Sequence, residues 1–474
     1  MGHSPTASVF IGGVLKQGVA VHHTDGLVTA LAPGEAPSAR RLIIPALVNA
    51  HDHARPSMSS FGASGMPLET WIARSVFGTP PDPYFAAAAS LARSARAGCG
   101  TVMVHYTRPS GTMPLPDEAR AIARAAQDVG VRLAFALAVR DQNPLVYGDA
   151  TPILDVLTPT DRRAIEELFL RPTTIPAAYL ETVEAIHAAI AGPTVDVQFG
   201  PAGVQWCSTP LLEAIAGRSA QTGRRVHMHL LETTYQRAWA DRAFPGGIVR
   251  HLRDIGLLSN RLALAHCTHA RPNELDMIAE AGATIVTNPS SNLHLRSGLA
   301  PIAEAHCRGC AIAVGVDGQA LDEDDDALRE LRLAHLLHGG LGFDQTWTRP
   351  DFLAMAIRHG RRITGAPGPG TLQPGEPADY TVLDLDLLDR DAILPVDPID
   401  MLFARGNTHA VREVVVAGRT IVKDGQVTGI DQDAIGTELR RLYRANIPRF
   451  QALEKAWKPL ERHLEKWFRA NSCS

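Results

Sequence analysis

Cysteine is scarce in this sequence, and its scarcity bears on the redox environment that we expect for the protein. The 474 residues contain six cysteines, which are irregularly spaced. A disulfide framework needs denser and more regular cysteines, so we expect reduced thiols and a cytoplasmic location. Cys307-x-x-Cys310 has no second cysteine pair to complete a zinc site, and we interpret it as structural or incidental.

Long apolar runs and an excess of basic residues are absent as well. No run of about 18 apolar residues occurs, and the first residues lack a basic segment followed by a long apolar stretch, so we expect neither a transmembrane helix nor a signal peptide. The 46 Lys and Arg against 50 Asp and Glu give a net charge of -4, which argues against nucleic-acid binding. With 45% hydrophobic residues, the chain can form a sizeable core.

The order of strand-like and helix-like segments predicts one large α/β domain with β-structure on both sides. Short strand patterns with turns fill residues 1–45. Over residues 46–365, apolar strand-like runs alternate with Ala-rich amphipathic segments, which predicts a parallel sheet or barrel. Strand patterns return over 366–430, and we expect both β-rich ends to complete one small domain. Residues 431–474 are a predicted helical extension, packed on the body or on a second subunit of a homodimer.

His51-Asp52-His53 is the most informative local pattern, because it follows an apolar run at residues 42–48. Side chains at positions i and i+2 of a strand point the same way, so two imidazoles would leave this strand side by side, as metal binding requires. Taken alone, a His-x-His pair is a weak signal, since polar surface strands also carry such pairs.

Three further apolar runs end on residues that bind metal ions or transfer protons: His229, His266 and Asp317. In a parallel barrel the carboxyl ends of all strands meet on one face, and that face carries the chemistry. We therefore expect His51, His53, His229 and Asp317 to form a ligand set for one divalent metal ion. Imidazole and carboxylate ligands suit Zn²⁺ best here, with Fe²⁺ as the alternative.

Two histidines lie in the strand-like run at residues 226–232, and we expect only one of them to be a ligand. We place His227 on the opposite side of the strand from His229. We choose His229 because Glu232, three residues on, can enter the same mouth from the following loop. A carboxylate there can carry a proton from an activated water molecule to a leaving group.

Five motifs occur in order along the chain: His51-Asp52-His53, His229-Leu230-Leu231-Glu232, Ala265-His266-Cys267, residues 287–293, and Val314-Gly315-Val316-Asp317-Gly318. Together they resemble the amidohydrolase superfamily, and more narrowly its chlorohydrolase and aminohydrolase branch, which includes S-adenosylhomocysteine deaminases, guanine deaminases and triazine hydrolases. The resemblance spans nearly the whole chain. It implies a TIM-like (β/α)8 barrel with a small β-sandwich built from both chain ends.

The resemblance also implies roles for six residues. The ligands of a mononuclear metal site would be His51, His53, His229 and Asp317. Glu232 would be the proton shuttle, His266 would hydrogen-bond the hydroxide or the attacked group, and Asp317 would double as a base on the water molecule. The sequence has no lysine in the metal-bridging position of dinuclear relatives, which disfavours a two-metal site.

The chemistry expected of such a site is hydrolysis of a C=N or amidine-like unit in a small nitrogen heterocycle, with loss of ammonia. Glu232 would protonate the ring nitrogen or the leaving group. The same groups can release sulfide, halide or alkylamine, or open a cyclic amide. A catalytically inactive binding protein is a further alternative, against which the complete set of ligands and Glu232 argues.

Two segments depart from the pattern of relatives that act on nucleosides. The segment Pro201–Ser208 lacks the usual histidine, and its Gln205 and Trp206 are candidates to line a different pocket, although Trp206 equally suits a core position. After Asp317 the sequence continues through residues 318–323 with Gly-Gln-Ala-Leu-Asp-Glu, which differs from the familiar run of small and amide residues. Both departures disfavour a nucleoside substrate.

Four further residues are candidates to contact substrate. Arg55 and Arg108 follow strand-like runs. Because a guanidinium can bind a carboxylate through two hydrogen bonds, our hypothesis is that the substrate carries an acidic group. Surface or interdomain salt bridges are the alternative for both arginines. His105 and Tyr106 suit either substrate contact or packing. The acidic run at residues 322–326 is expected to be a solvated helix start.

Overall fold

Two sheets dominate the fold in this computed structural model, which describes residues 2–34, 39–170, 174–318, 325–391 and 393–472. The strands of these described residues are β1 (Gly2–His3), β2 (Ala7–Ile11), β3 (Val14–Thr24), β4 (Leu27–Pro33), β5 (Arg41–Pro45), β6 (Leu47–Asp52), β7 (Cys99–Tyr106), β8 (Arg132–Val139), β9 (Val195–Pro201), β10 (Val226–Leu230), β11 (Leu262–His266), β12 (Thr284–Thr287), β13 (Ala311–Val314), β14 (Gly340–Leu341), β15 (Asp344–Gln345), β16 (Tyr380–Asp384), β17 (Val411–Val416), β18 (Arg419–Lys423) and β19 (Gln426–Val427).

Helices follow most strands of the central part of the chain. They are α1 (Leu68–Arg74), α2 (Pro83–Arg96), α3 (Leu115–Val129), α4 (Thr151–Leu154), α5 (Pro159–Phe169), α6 (Pro176–Ile190), α7 (Thr209–Thr222), α8 (Thr234–Ala243), α9 (Ile248–Asp254), α10 (Pro272–Glu280), α11 (Pro289–His294), α12 (Ile302–Cys307), α13 (Ala327–His338), α14 (Arg349–Thr364), α15 (Leu385–Leu388), α16 (Pro398–Arg405), α17 (Gln432–Asn446) and α18 (Gln451–Ala470). No helix in the described ranges is long and apolar enough to cross a membrane.

The central sheet is a parallel, nearly closed barrel of eight strands, β6 to β13, in chain order. The carboxyl end of β6 meets the loop after β13, where the Asp317 amide donates a hydrogen bond of 2.8 Å to the His51 carbonyl. Apolar side chains line the interior toward the amino ends of the strands, with Ala50, Ala263 and Val286 among them. This arrangement confirms the expected (β/α)8 barrel and brings the carboxyl ends of the strands to one face.

The second sheet has nine strands and draws them from both chain ends, as the sequence predicted. The two ends meet where β5 pairs antiparallel with β16, with Ile43 opposite Val382. Since β5 runs almost directly into β6, this sheet holds the first barrel strand in place. The domain boundaries near residues 45, 365 and 430 stay a prediction.

The C-terminal extension differs from the single helix that the sequence suggested. A 3-10 turn at Ile447–Phe450 separates α17 from α18, because Pro448 lacks the amide that a continuing helix would use. The apolar face of α18, including Trp457 and Leu460, is buried in a cluster that also contains Trp206. The extension therefore packs on the barrel near its catalytic face.

Two expectations from local sequence have mixed outcomes. Of the acidic run, residues 322–324 lie outside the described residues. Asp326 caps α13, so the expected helix start is present, but Asp326 is buried rather than solvated. Asp325 is also buried, against Arg93, with 3.0 Å between Oδ2 and Nε. The cysteines within the described ranges form no disulfide, and Cys473 lies outside those ranges.

Candidate functional site

Histidines from separate strands converge at the carboxyl face of the barrel. His51 and His53 leave the end of β6 side by side, with ring centroids 4.9 Å apart. His229 comes from β10 and lies 4.9 Å from His51 by ring centroids, and His266 ends β11 at 5.5 Å from His51. The predicted convergence of these strand ends is therefore present in the fold.

Asp317 lies at the centre of this cluster, in the loop after β13. Its Oδ1 is 3.1 Å from His51 Nε2 and 3.0 Å from His53 Nε2. Its Oδ2 accepts a hydrogen bond of 2.6 Å from the Ser291 hydroxyl, which comes from α11. The backbone reaches this position past Gly315, where a side-chain carbon would come within 2.7 Å of the His51 amide nitrogen. A glycine is therefore needed for the close approach.

The donor atoms fit a metal ion of the Zn²⁺ or Fe²⁺ type. Ligand atoms of His51, His229, His266 and Asp317 all lie within 4.8 Å of one another. The Nε2 atoms of His51 and His266 are buried and make no well-formed hydrogen bond to any described residue, although His51 Nε2 lies 3.1 Å from Asp317 Oδ1, another ligand atom of the group. Buried polar atoms normally have a hydrogen-bond partner. Buried nitrogen atoms that face a common centre without one therefore indicate that this centre binds an ion. His53, a predicted ligand outside this group of four, reaches the same centre through its contact with Asp317.

The tautomers of two predicted ligands are set from outside the cluster. His53 Nδ1 lies 2.7 Å from the His105 carbonyl, and His229 Nδ1 lies 2.7 Å from the Ala202 carbonyl. Each Nδ1 carries the ring proton and donates it in a hydrogen bond to its carbonyl. The Nε2 atom is then unprotonated, and its lone pair is available to bind a metal. Burial lowers the pKa of His53 to about 3, so this imidazole is neutral near pH 7.

The expectation for His227 was wrong. His227 does not face away from His229, because residues two apart in a strand share a face. Its Nε2 lies 2.7 Å from His51 Nδ1, deeper in the barrel, and the two rings are stacked. His227 thus contacts a predicted ligand rather than the common centre. His105 lies at the same depth and offers a ligand atom close to those of His51 and His227.

Glu232 enters the site from the loop after β10, as predicted. One of its carboxylate oxygens is 3.7 Å from His266 Nε2, and its amide donates to the Gln236 side chain at 2.8 Å. Burial, together with the charges of Asp317 and Glu69, raises the pKa of Glu232 well above its usual range. A carboxyl group of raised pKa beside a cluster of imidazoles is suited to accept and return a proton.

Glu69 and Asn292 support the site and were not singled out from the sequence. Glu69 in α1 accepts a 2.5 Å hydrogen bond from Thr233, the residue after Glu232, and burial raises the pKa of Glu69 to about 7. Asn292 Oδ1 lies 2.9 Å from His266 Nδ1 and orients that ring. Asn292 belonged to a recognised motif without a role, and no local pattern distinguished Glu69.

Comparison with known proteins adds the family. Residues 42–421 match the amidohydrolase family. The chain belongs to this family. It is similar to 5-methylthioadenosine/S-adenosylhomocysteine deaminase of Nitratidesulfovibrio vulgaris, with 28% identity over 89% of this chain and 91% of the relative. It is also similar to 8-oxoguanine deaminase of Pseudomonas aeruginosa, with 28% identity over 91% of this chain and 95% of the relative.

Solved structures show the same fold as this amidohydrolase. Atrazine chlorohydrolase from Arthrobacter aurescens, solved with zinc, superposes with a TM-score of 0.77 at 23% identity and covers 94% of this chain and 100% of its own. An adenosine deaminase from Xanthomonas campestris with bound zinc gives a TM-score of 0.76 at 22% identity, over 94% of this chain and 98% of its own. These likenesses extend over both sheets of the amidohydrolase.

A cavity of about 370 Å³ opens from the site of the amidohydrolase. Its lining includes Glu232, His266 and Asp317, and also the predicted substrate contacts Arg55, Arg108 and Trp206. Trp206 serves both of its expected roles, since it faces this cavity and packs in a buried cluster. The volume suits a small organic molecule.

Three other candidates for substrate contact lie off this cavity. The Tyr106 hydroxyl donates to Glu118 of α3 outside the barrel, and His105 lies below the site with Nε2 3.1 Å from the Gly200 carbonyl. Gln205 is buried, and its carbonyl accepts from Asn143 at 2.6 Å. The packing alternative therefore describes Tyr106 and His105 better, and we leave all three out of the proposed substrate site.

Proposed function

We propose that this amidohydrolase is a metal-dependent hydrolase that deaminates a small nitrogen heterocycle. The observation that carries the proposal is the convergence of the imidazoles, Asp317 and Glu232 on one buried cavity. The deaminases among its relatives support the reaction class, although each name describes the relative alone. A complete set of proton-transfer and ligand residues argues against an inactive binding protein.

We propose His51, His53, His229 and Asp317 as ligands of one Zn²⁺ ion, with Fe²⁺ as the alternative. The buried Nε2 of His51, which faces Asp317 Oδ1 at 3.1 Å, and the neutral state of buried His53 support this assignment. Bound zinc supplies a water molecule of lowered pKa. His266 is proposed to hydrogen-bond the attacking water or the attacked group, because its ring lines the cavity and its Nδ1 is held by Asn292 Oδ1.

Proton transfer is assigned to Glu232 and Asp317. Glu232 lies within 3.7 Å of His266 and lines the cavity, so it can protonate a ring nitrogen of a bound heterocycle or its amino group, which then leaves as ammonia. Asp317 can accept the first proton through Oδ2, which the Ser291 hydroxyl holds in place. Groups positioned in this way typically contribute about 10² to 10⁴ in rate.

The test is ammonia release by zinc-loaded protein over a panel of imidazoles, pyrimidines, purines and triazines. We expect turnover of at least one compound, one zinc per chain by elemental analysis, and a loss of about 10² to 10⁴ in kcat in Glu232→Gln with zinc content retained. Release of sulfide, halide or alkylamine, or opening of a cyclic amide, would favour the alternative reactions. Activity of Glu232→Gln equal to that of the wild type would refute the proton-transfer assignment.

We further propose that the substrate carries an acidic group and that the protein is a cytoplasmic homodimer. Arg55 and Arg108 in the cavity support the acidic group. The unpaired cysteines support the location. Fully exposed Leu341 and Phe343, on the β14–β15 hairpin, support self-association, since exposed large apolar side chains in one patch mark interaction surfaces. Sedimentation of wild type and Phe343→Ser tests the dimer, which we expect to weaken in the variant.

A further inference from the structure

The substrate cavity continues beyond the catalytic groups into a second space. We call the 370 Å³ cavity beside Glu232 and Asp317 the inner chamber. A neighbouring cavity of about 210 Å³, the outer chamber, shares Thr107, Arg108 and Arg140 with it. None of the described catalytic or ligand residues lines the outer chamber, so it extends the pocket away from the reacting groups.

Four arginines line the two chambers. Arg55 lines the inner chamber only, Arg108 and Arg140 line both, and Arg449 lines the outer chamber only. Arg449 comes from the 3-10 turn Ile447–Phe450 between the two helices of the extension. The side chains thus come from four parts of the chain and meet around two adjoining cavities.

Arg55 has negative neighbours at the catalytic end. It is buried, its guanidinium donates to the Thr107 hydroxyl, and it lies over the Trp71 ring at 5.5 Å. Burial lowers its pKa to about 10, while the charges of Asp317 and Asp52 act in the opposite sense. The charge of Arg55 is therefore partly balanced by the protein itself.

Arg108 has no such balance. Its guanidinium donates to the Ile72 carbonyl at 2.9 Å and to the Ser75 hydroxyl, and its buried Nε has no partner among the described residues. Burial lowers the pKa of Arg108 well below its usual range, and the positive charges of Arg55 and Arg140 act in the same direction. A buried cation among cations is unfavourable unless an anion joins it.

The acidic residue that lines the outer chamber among the described residues is already engaged. Asp141 lines the outer chamber, but its carboxylate accepts 2.7 Å and 2.5 Å hydrogen bonds from the amide and hydroxyl of Ser208, the N-cap of α7. Its pairing with Ser208 turns that carboxylate toward the helix. With Asp141 engaged in this way, an anionic group of a ligand can supply a counter-charge to Arg108.

We infer that Arg108 and Arg140 bind a carboxylate on an acyclic arm of the substrate, while the ring to be hydrolysed lies in the inner chamber. The inference rests on the proposed function for the identity of the ring as the reacting part. Apolar Ile72, Leu115 and Val139 line the inner chamber and suit the methylene groups of such an arm. The substrate class is then a heteroaryl alkanoic acid, and neither a free base nor a plain nucleoside fills the junction.

The test measures binding without turnover. The probes are imidazol-4-yl and pyrimidin-4-yl acetate, propanoate and butanoate, each beside its own carboxamide, titrated calorimetrically into zinc-loaded protein. We expect at least one acid to bind about 10 to 100 times more tightly than its amide, as a charge-assisted pair to a guanidinium predicts. Equal binding within every pair, including no binding of either member, overturns the inference.

Variants assign the preference to the junction. In Arg108→Met we expect the acid to lose its advantage while the amide binds as before, and Arg140→Met serves as a second variant should the first not fold. Arg120→Met is the matched control, because Arg120 is exposed and pairs with Asp117 on α3. Equal weakening of acid and amide in both junction variants refutes the assignment. If an acid binds more tightly than its amide but no compound of the heterocycle panel releases ammonia, the proposed deamination is refuted and the inference about the carboxylate stands.

Discussion

Asp379 joins the two sheets through buried ion pairs, and its replacement gives the sharpest stability prediction. Its carboxylate is 2% exposed and accepts from Arg132 of β8 at 3.0 Å and from Arg361 of α14 at 3.0 Å. It also accepts from the Ala417 amide at 2.7 Å. Asp379→Asn leaves two buried guanidinium groups without their counter-charge, which typically costs about 3–5 kcal/mol.

The expected shift in melting temperature follows from chain length. Unfolding entropy is about 2.1 cal/mol/K per residue, so a chain of 474 residues unfolding as one unit has about 1 kcal/mol/K in total. Because Asp379 connects the sheets, we expect a single transition. The loss of about 3–5 kcal/mol then lowers the Tm by roughly 3–5 °C.

The pH dependence has a definite sign. Burial alone would raise the pKa of Asp379, but the hydrogen bonds and charges of Arg132 and Arg361 outweigh burial and lower it below 3.8. A depressed folded-state pKa contributes stability that is present above the unfolded value and is lost as pH falls through the folded value. The difference between wild type and variant is therefore constant near neutrality and shrinks only below about pH 4.

Thermal unfolding followed by circular dichroism at one scan rate measures the difference. Asp386→Asn is the matched control, because Asp386 is about half exposed and its ion pair with Arg40, at 2.7 Å, is on the surface. Such pairs contribute at most about 1 kcal/mol, so the control should shift the Tm by about 1 °C or less. Equal shifts for Asp379→Asn and Asp386→Asn would refute the reasoning from burial.

Three further predictions concern the site. His227→Ala removes the partner of His51 Nδ1, and we expect zinc affinity or kcat/KM to fall by about 10 to 100 times in a zinc titration; unchanged values contradict the contact. The Tm of Glu69→Gln minus the Tm of the wild type should be larger at about pH 8 than at about pH 5. The reason is that the stability contributed by the protonated Glu69 carboxyl is lost as pH rises through its folded pKa of about 7. A Tm difference that does not change with pH contradicts burial as the cause of the raised pKa. Removal of metal by a chelator should lower the Tm and added zinc should restore it, since a ligand of the folded state alone stabilises that state; an unchanged Tm removes the proposed metal site.

The barrel and the meeting of its strand ends could be predicted because both follow from short-range rules. Strand period and strand-helix alternation are visible within about ten residues, and parallel topology then brings the ends of β6, β10, β11 and β13 together. The same rule, applied consistently, would have placed His227 inside the barrel. The sequence therefore contains the information that places His227 on the same face as His229.

The surroundings of the site could not be predicted in this way. Glu69 meets Thr233 across a sequence separation of 164 residues, and neither has a local pattern that marks it. Tyr106 and His105 illustrate the converse, because both lie at the end of strand β7, as other predicted site residues lie at strand ends, but they contact α3 and the barrel interior instead. Which neighbour a side chain meets depends on packing between helices and loops, which a single sequence does not specify.

Substrate choice belongs to this second category, and the C-terminal extension shows why. From the sequence it was a helix packed on the body or on a second subunit, with no link to chemistry. In the structure its 3-10 turn brings Arg449 to the outer chamber, while Trp457 on α18 packs in the cluster that holds Trp206 beside His229. The recognised motifs supply the proposed reacting groups, whereas α1 and several loops line the inner chamber and this extension reaches the outer chamber. Relatives that share the motifs and differ here are therefore expected to bind different ring substituents.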